Sequence, residues 1–208
     1  MELLEKIALS ESQIQKIEDG GVVTITASWD EFMDFLEKTT YKAEYSNGRI
    51  IIMGLASAIH EFLVGYIVTL LNIHYQFNEF TVFSSNLGVK TNDQRGYFNP
   101  DVTVVKGNLE FYRQSNAIIL NPYLVIEVLS EGTYQYDLNE KLYKYQSMKS
   151  IHEVIFVDRF DKVVVKFQKT DNPKIWTETI YDEENPEILI DTMNVKLNDI
   201  FDKIEKFL

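Results

Sequence analysis

The run YLVIEVL, residues 123–129, has the length and the branched apolar content of a strand. Leu124, Val125, Ile126, Val128 and Leu129 describe a strand buried on both faces, the kind found inside a sheet covered on both sides. One charge interrupts it. Side chains alternate along a strand, so Glu127 shares a face with Val125 and Leu129, and that face carries no other polar residue. An ionised carboxylate alone there would take up a proton or find a cation. Acidic residues are almost never fully buried without a partner, so the fold has to supply one for Glu127.

Periodicity places the other elements around this strand. A short helix is expected near residues 10–18 and a second over 29–38, where Ser28 caps and Glu31 stands three residues later. EYSNGRIIIMG reads as a hairpin, because Asn47-Gly48 tolerates the positive φ of a tight turn. A long amphipathic helix over about 57–77 presents Leu63, Ile67, Leu70 and Leu71 as core candidates. Short strands follow in FTVFS, GVKT and DVTVV, and after YLVIEVL comes a helix over 137–149. EVIFVD and KVVVKFQ, joined by RFD, form a second hairpin; IWTETIY adds a strand, and residues 195–207 a closing helix. The fold class is α/β (α+β), a mixed central sheet flanked by helices and carrying extra β-hairpins. No repeat, low-complexity tract or Pro/Ser-rich linker divides the 208 residues, so one domain over 1–208 is expected, with an N-terminal helical extension over about 1–40.

Cysteine is absent, which excludes disulfides, thiolate metal sites and thiol nucleophiles and fits a reducing compartment. The first twenty residues lack the basic start and apolar core of a secretory signal, and Phe62 to Ile73, the most apolar stretch, is too short to span a bilayer. A cytoplasmic protein without membrane contact is expected. The net charge of −12 argues against broad attraction to phosphate backbones but leaves room for a local site. The charge is uneven: from Asp171 onward ten acidic residues face four lysines, whereas between Lys90 and Arg113 four basic residues face three acidic ones.

A second carboxylate stands out in NPDVTVV, where Asp101 follows Pro100 at the start of an apolar alternation. Proline is tolerated at the first residue of a strand, so Asp101 belongs at a strand end. If this strand neighbours YLVIEVL, two carboxylates meet, and a hard divalent cation relieves their repulsion by taking oxygens from both. Mg²⁺, or Mn²⁺ in its place, needs one or two protein carboxylates; Asp101 and Glu127, with the Val128 carbonyl, are sufficient. A cation so held acidifies water and stabilises charge on a phosphoryl oxygen, so phosphodiester hydrolysis is the reading. In DLNEKLYKY, Leu138, Leu142 and Tyr145 mark the stripe facing the sheet, and Lys141 on its shoulder can bring its ammonium back toward Glu127.

NPDVTVV, YLVIEVLS, and Asp137, Lys141 and Tyr145 at spacings of four together resemble the Uma-two family, in the PD-(D/E)xK restriction-endonuclease-like superfamily. AEYSNGRIIIM, with Glu44 and Gly48, and ASAIH, with His60, match the same family. The resemblance runs from about Trp29 to Asp158. It implies a restriction-endonuclease-like core, Asp101 and Glu127 as metal ligands, Glu44 as a further acidic residue, Lys141 as the catalytic lysine, DNA as substrate and a homodimer. In one respect the chain departs from the superfamily: the lysine expected two residues after the glutamate is Leu129.

Each assignment has a plainer competitor. Asp101 could terminate a strand, and Glu127 could form a structural ion pair with Lys141. Asp137 reads best as a helix N-cap, with Glu140 completing a capping box; Lys141 could make only a surface pair with Asp137, worth about 0.2–0.5 kcal/mol. Tyr145 is most simply a core aromatic and His60 a hydrogen-bonded packing residue. At the level of function, a catalytically inactive binding or regulatory module of the same fold, and a phosphodiesterase acting on small nucleotides, stand beside the endonuclease.

Overall fold

The computed structural model describes residues 7–91, 96–130, 132 and 134–205. Its strands, in chain order, are β1 (Val22–Thr26), β2 (Lys42–Ser46), β3 (Arg49–Met53), β4 (Phe80–Ser84), β5 (Gly88–Lys90), β6 (Gly96–Phe98), β7 (Val102–Lys106), β8 (Ile118–Ile119) and β9 (Leu124–Val128). β10 (Glu153–Asp158), β11 (Val163–Lys169), β12 (Trp176–Tyr181), β13 (Glu187–Ile190) and β14 (Met193–Lys196) follow. The helices are α1 (Glu11–Glu18), α2 (Trp29–Lys38), α3 (Ala58–Tyr75), α4 over 134–146 and α5 (Leu197–Phe201).

The apolar run becomes β9, an inner strand of a sheet ordered β12-β11-β10-β9-β7-β4. It runs parallel to β10 and antiparallel to β7. Its two faces feed two cores. Leu124, Ile126 and Val128 pack with Leu63, Ile67 and Leu71 of α3, while Val125 and Leu129 join Tyr145 and Met148 on the other side. Both faces being apolar is what the unbroken run required. With β1-β3-β2-β6-β5-β8 as a second mixed sheet, the architecture is α+β. Val89, Phe98 and Ile119 of that second sheet pack into the core shared with Val125 and Leu129.

Local signals behave as their chemistry dictates. Ser10 and Ser28 form capping boxes with Gln13 and Glu31 at the starts of α1 and α2, and Ser57 caps α3. Asn47 (φ 48°) and Gly48 (φ 82°) turn β2 into β3. The loop after β10 closes the expected β10–β11 hairpin.

Three expectations are corrected. A helical extension is expected over about 1–40, but Val22–Thr26 forms β1 and pairs antiparallel with β3 along its whole length. The closing helix expected over 195–207 is shorter, because Val195 pairs with Ile188 in the β13–β14 hairpin and the helix occupies Leu197–Phe201; residues 206–207 lie outside the described part of the chain. The helix expected over 137–149 begins at Tyr134 and ends at Gln146. Its middle, Asp137–Lys141, is a π-helical turn, a widening often found at functional sites.

Candidate active site

Pairing of β7 with β9 sets Val102 opposite Ile126, which brings Asp101 and Glu127 to adjacent positions where the two strands part. Pro100 lacks an N–H and Asp101 precedes the strand proper, so the Asp101 side chain takes over from the backbone ladder. Its Oδ2 accepts the Val128 N–H at 3.0 Å. The same oxygen lies 3.0 Å from His60 Nε2, and Oδ1 is 3.2 Å from Lys42 Nζ. Burial alone would raise the Asp101 pKa, but Lys42 and the His60 hydrogen bond outweigh it and hold the carboxyl well below the usual range.

Glu127 is 2% exposed. Its Oε1 accepts hydrogen bonds from Lys141 Nζ at 3.1 Å and Tyr145 Oη at 2.7 Å. Burial pushes its pKa up to about 8; Lys141 opposes that shift, and the nearby Asp101, Asp137 and Glu44 add to it. Glu44, on β2, is fully buried. Its Oε1 is 3.0 Å from Lys141 Nζ and 2.9 Å from the Asn99 N–H, while Oε2 is buried with no hydrogen-bond partner among the described residues. Burial raises the Glu44 pKa against the pull of Lys141 and Lys42.

Lys141 is the hub. Its ammonium lies 3.0 Å from Glu44, 3.1 Å from Glu127 and 3.0 Å from Asp137, all buried, and 5.5 Å from the centre of the Tyr136 ring. Desolvation would lower its pKa, but Asp137, Glu127 and Glu44 overcome that and raise it well above the ordinary lysine value. The pair with Asp137 is therefore an interior contact, and the surface i, i+4 reading is set aside. The capping reading of Asp137 is corrected too: Tyr134–Tyr136 carry the helix past it, and its carboxylate turns inward to Lys141. Glu140 does not complete a capping box. It accepts hydrogen bonds from Ser46, from Asn47 Nδ2 at 3.0 Å and from Arg49 Nη2 at 2.7 Å, tying the helix to the β2–β3 turn.

Glu127, Glu44, Asp137 and Tyr145 gather around Lys141, and His60 joins Asp101 beside them, the two groups being coupled electrostatically. Asp101, Glu127, Val128, Asp137, Lys141 and His60 line a cavity of about 400 Å³. At Val128 the observed contact is its N–H to Asp101; N–H and C=O of one strand residue face the same edge, so its carbonyl looks toward the β7 side as well. Sequence reasoning missed Lys42 and Asn99. Lys42 stands two residues before Glu44 on β2, a spacing that puts both side chains on one face, and this was its available signal.

The cluster fits a divalent cation on two observations. Four carboxylates (Glu44, Asp101, Glu127, Asp137) face two ammonium groups (Lys42, Lys141), an excess of two negative charges when all are ionised. The buried Glu44 Oε2 oxygen also has no hydrogen-bond partner among the described residues. Among the described residues no three acidic or histidine side chains converge on one point, and Mg²⁺ requires only one or two carboxylates.

The chain is similar to known proteins over most of its length. The model of the Uma2 (Uma-two) family, described as "Putative restriction endonuclease", matches residues 29–198. The uncharacterized protein sll1609 of Synechocystis is 30% identical over 165 residues, covering 79% of this chain and 93% of its own length. The uncharacterized protein slr1290 of the same organism is 27% identical over 143 residues, 69% of this chain and 74% of its own length. A crystal structure from Anabaena variabilis, titled a putative nuclease belonging to DUF820, superposes with a TM-score of 0.66 at 21% identity, over 86% of this chain and 98% of that one. That likeness establishes a shared fold. No helix among the described residues is long and apolar enough to cross a membrane. With the family model spanning α2 to α5 and every site residue lying within it, the chain belongs to the Uma2 family of putative restriction endonucleases.

Proposed function

We propose that the protein is a metal-dependent endonuclease that hydrolyses DNA phosphodiester bonds at the Asp101–Glu127 cluster. The observation that carries this reading is the meeting of two buried carboxylates at the parting ends of β7 and β9, with a buried lysine delivered from α4. Asp101 and Glu127, with the Val128 carbonyl at the same edge, would hold Mg²⁺ or Mn²⁺. Such an ion supplies a double positive charge that acidifies water and offsets charge on a phosphoryl oxygen.

The chain's own residues do the positioning. Val128 N–H, His60 and Lys42 fix both oxygens of Asp101, so its carboxylate is ionised and oriented before any substrate arrives. Tyr145 and Lys141 hold Oε1 of Glu127. The Lys141 ammonium, kept protonated by three carboxylates, gives fixed positive charge for a phosphate in a site shielded from water. Glu44 and Asp137 hold that ammonium in place. Cleavage of plasmid and linear DNA with Mg²⁺ or Mn²⁺ tests the reading in wild type, Asp101→Ala and Glu127→Ala. Loss of cleavage in both variants is expected, and equal cleavage by all three proteins refutes it.

One observation favours a second reading, a catalytically inactive binding or regulatory module. Glu127 Oε1 is already satisfied by Lys141 and Tyr145, as in a structural ion pair. Calorimetric titration with Mn²⁺ separates the two: heat that disappears in Asp101→Ala supports the metal site, and its absence in the wild type supports the scaffold.

A further inference from the structure

A second and larger cavity of about 830 Å³ opens beside the carboxylate cluster. The two share Lys42, Met53, Gly54, Leu55, Ala56 and His60 as walls, so they form one cleft with the cluster at one end. The larger end differs in character. Among the described residues lining it, Lys42 is the only lysine or arginine, and it lies at the shared boundary; Glu18 and Glu61 add negative charge. A run of phosphates would find no cations to follow there. The remaining wall is apolar side chain, tyrosine and neutral amide or hydroxyl, including Leu36, Val64, Tyr41, Ser85 and Asn86. That composition suits a flat, uncharged, hydrogen-bonding group.

Two further observations point to what enters. His60 is 93% buried and faces both cavities. Its Nε2 is taken by Asp101, whereas Nδ1 has no hydrogen-bond partner among the described residues and lies 3.6 Å from Glu61. Leu55 stands on the lip between the cavities with 86% of its surface exposed, in the short link between β3 and α3. An exposed leucine beside a site for phosphates has the chemistry of a wedge that unstacks a base step.

We propose that the larger cavity is a nucleoside subsite: it takes one unpaired base with its sugar, while the adjoining phosphate lies at the carboxylate cluster. This inference rests on the phosphodiester reading of that cluster and adds a substrate class, strands with an unpaired or extruded nucleotide in preference to continuous duplex. Leu55 separates the base from its neighbour, Tyr41 offers an aromatic face, and His60 Nδ1 meets a polar group of the nucleoside. The overall charge of −12 is consistent with this, since the grip comes from one buried nucleoside and not from an extended phosphate track.

The test is a binding measurement made without divalent ions, so that no turnover is needed. Oligonucleotides carrying 2-aminopurine, either unpaired in a single strand or bulge or fully paired in a duplex, are titrated with the full chain and followed by fluorescence. The unpaired base is expected to bind about tenfold more tightly, within the range that one stacked base contributes. Gly65→Phe adds bulk to the cavity wall at a position where a Cβ meets nothing within 4 Å, and Leu55→Ser removes the wedge from an exposed position. Each is expected to erase most of the tenfold preference while thermal melting stays unchanged; should Gly65→Phe melt early, Leu55→Ser carries the test. 2-Aminopurine deoxynucleoside monophosphate as competitor distinguishes a free nucleotide from a strand as the source of the base, and competition by either supports the subsite. Equal affinity for paired and unpaired probes, no binding of either, or a preference untouched by both variants overturns it. Cleavage assays on the same probes are scored separately: cleavage without preference removes the subsite and keeps the nuclease reading, and preference without cleavage does the reverse.

Discussion

Lys141→Met isolates the electrostatic core of the site. Methionine keeps an unbranched stem in the same space and deletes only the charge, so packing changes little. Lys141 and its partners Glu44, Glu127 and Asp137 are each at most 3% exposed, so solvent does not screen the contacts. Removing one partner of a buried ion pair costs about 3–5 kcal/mol, because the remaining charge stays buried without compensation. A surface pair would cost under about 1 kcal/mol. For a chain of this length 1 kcal/mol moves the melting temperature by roughly 2–4 °C, so the variant should melt roughly 6–20 °C below the wild type at neutral pH.

The pH dependence adds a second check. Burial has pushed Glu127 up to about 8, against a reference of 4.5, with Lys141 pulling it down; without Lys141 its folded pKa rises further. A carboxyl whose folded pKa exceeds its unfolded value loses stability as pH climbs from the lower to the higher. In the wild type that loss is complete near pH 8, and in the variant it continues above. The gap between the two proteins should therefore widen as pH rises past 8 and stay nearly constant between pH 5 and pH 7, as followed by calorimetric melting in a matched buffer series. A shift of less than about 4 °C at every pH would refute the buried hub.

Three further outcomes follow from the same structure. Glu127→Gln removes a carboxyl that costs stability between pH 4.5 and about 8, so its stability relative to wild type should improve across that window; urea melts at pH 5 and pH 9 that show equal differences would count against it. Asp191, in the positive-φ turn of the β13–β14 hairpin, accepts hydrogen bonds from Tyr75 Oη and Tyr123 Oη, both at 3.0 Å. Asp191→Ala should cost roughly 1–3 kcal/mol in a urea melt and Asp191→Asn clearly less, because asparagine tolerates the turn and still accepts. At Gly54 a Cβ would run into the Ile17 carbonyl and the Gly20 backbone, so Gly54→Ala should lower stability by roughly 1–3 kcal/mol, measured by thermal melting.

What could be read from the sequence was whatever broke a local rule. A charge within an apolar run and an acid directly after a proline at a strand start identified Glu127 and Asp101, and their neighbouring positions follow once β7 pairs with β9. The Ser28 cap and the Asn-Gly turn set one helix start and one hairpin, because those signals are settled by adjacent atoms. What was hidden depends on distant partners. Strand β1 is half exposed and gains its place by pairing with β3; Val195 joins a strand because Ile188 lies opposite. Asp137 and Glu140 look like a capping box in isolation, and the tertiary pull of Lys141 and of the β2–β3 turn assigns both carboxylates elsewhere. Lys42 is harder to read, because its spacing from Glu44 gains meaning only with its partner Asp101, 59 residues later.

The displaced lysine has a physical rationale in these contacts. Leu129 is 1% exposed and shares a face and a core cluster with Val125, Tyr145 and Met148. A lysine at 129 would start among apolar side chains, where its ammonium costs several kcal/mol of desolvation unless carboxylates surround it. Helix α4 packs over this face, and its π-helical turn carries Asp137 and Lys141 inward together, so the ammonium arrives already paired with one carboxylate and meets Glu127 and Glu44 on docking. Glu140 then fastens the turn to β2–β3, the hairpin whose first strand bears Glu44. Strand β9 is left to supply the carboxylate and the packing, and the helix supplies the cation, which makes the geometry of the site depend on the docking of α4.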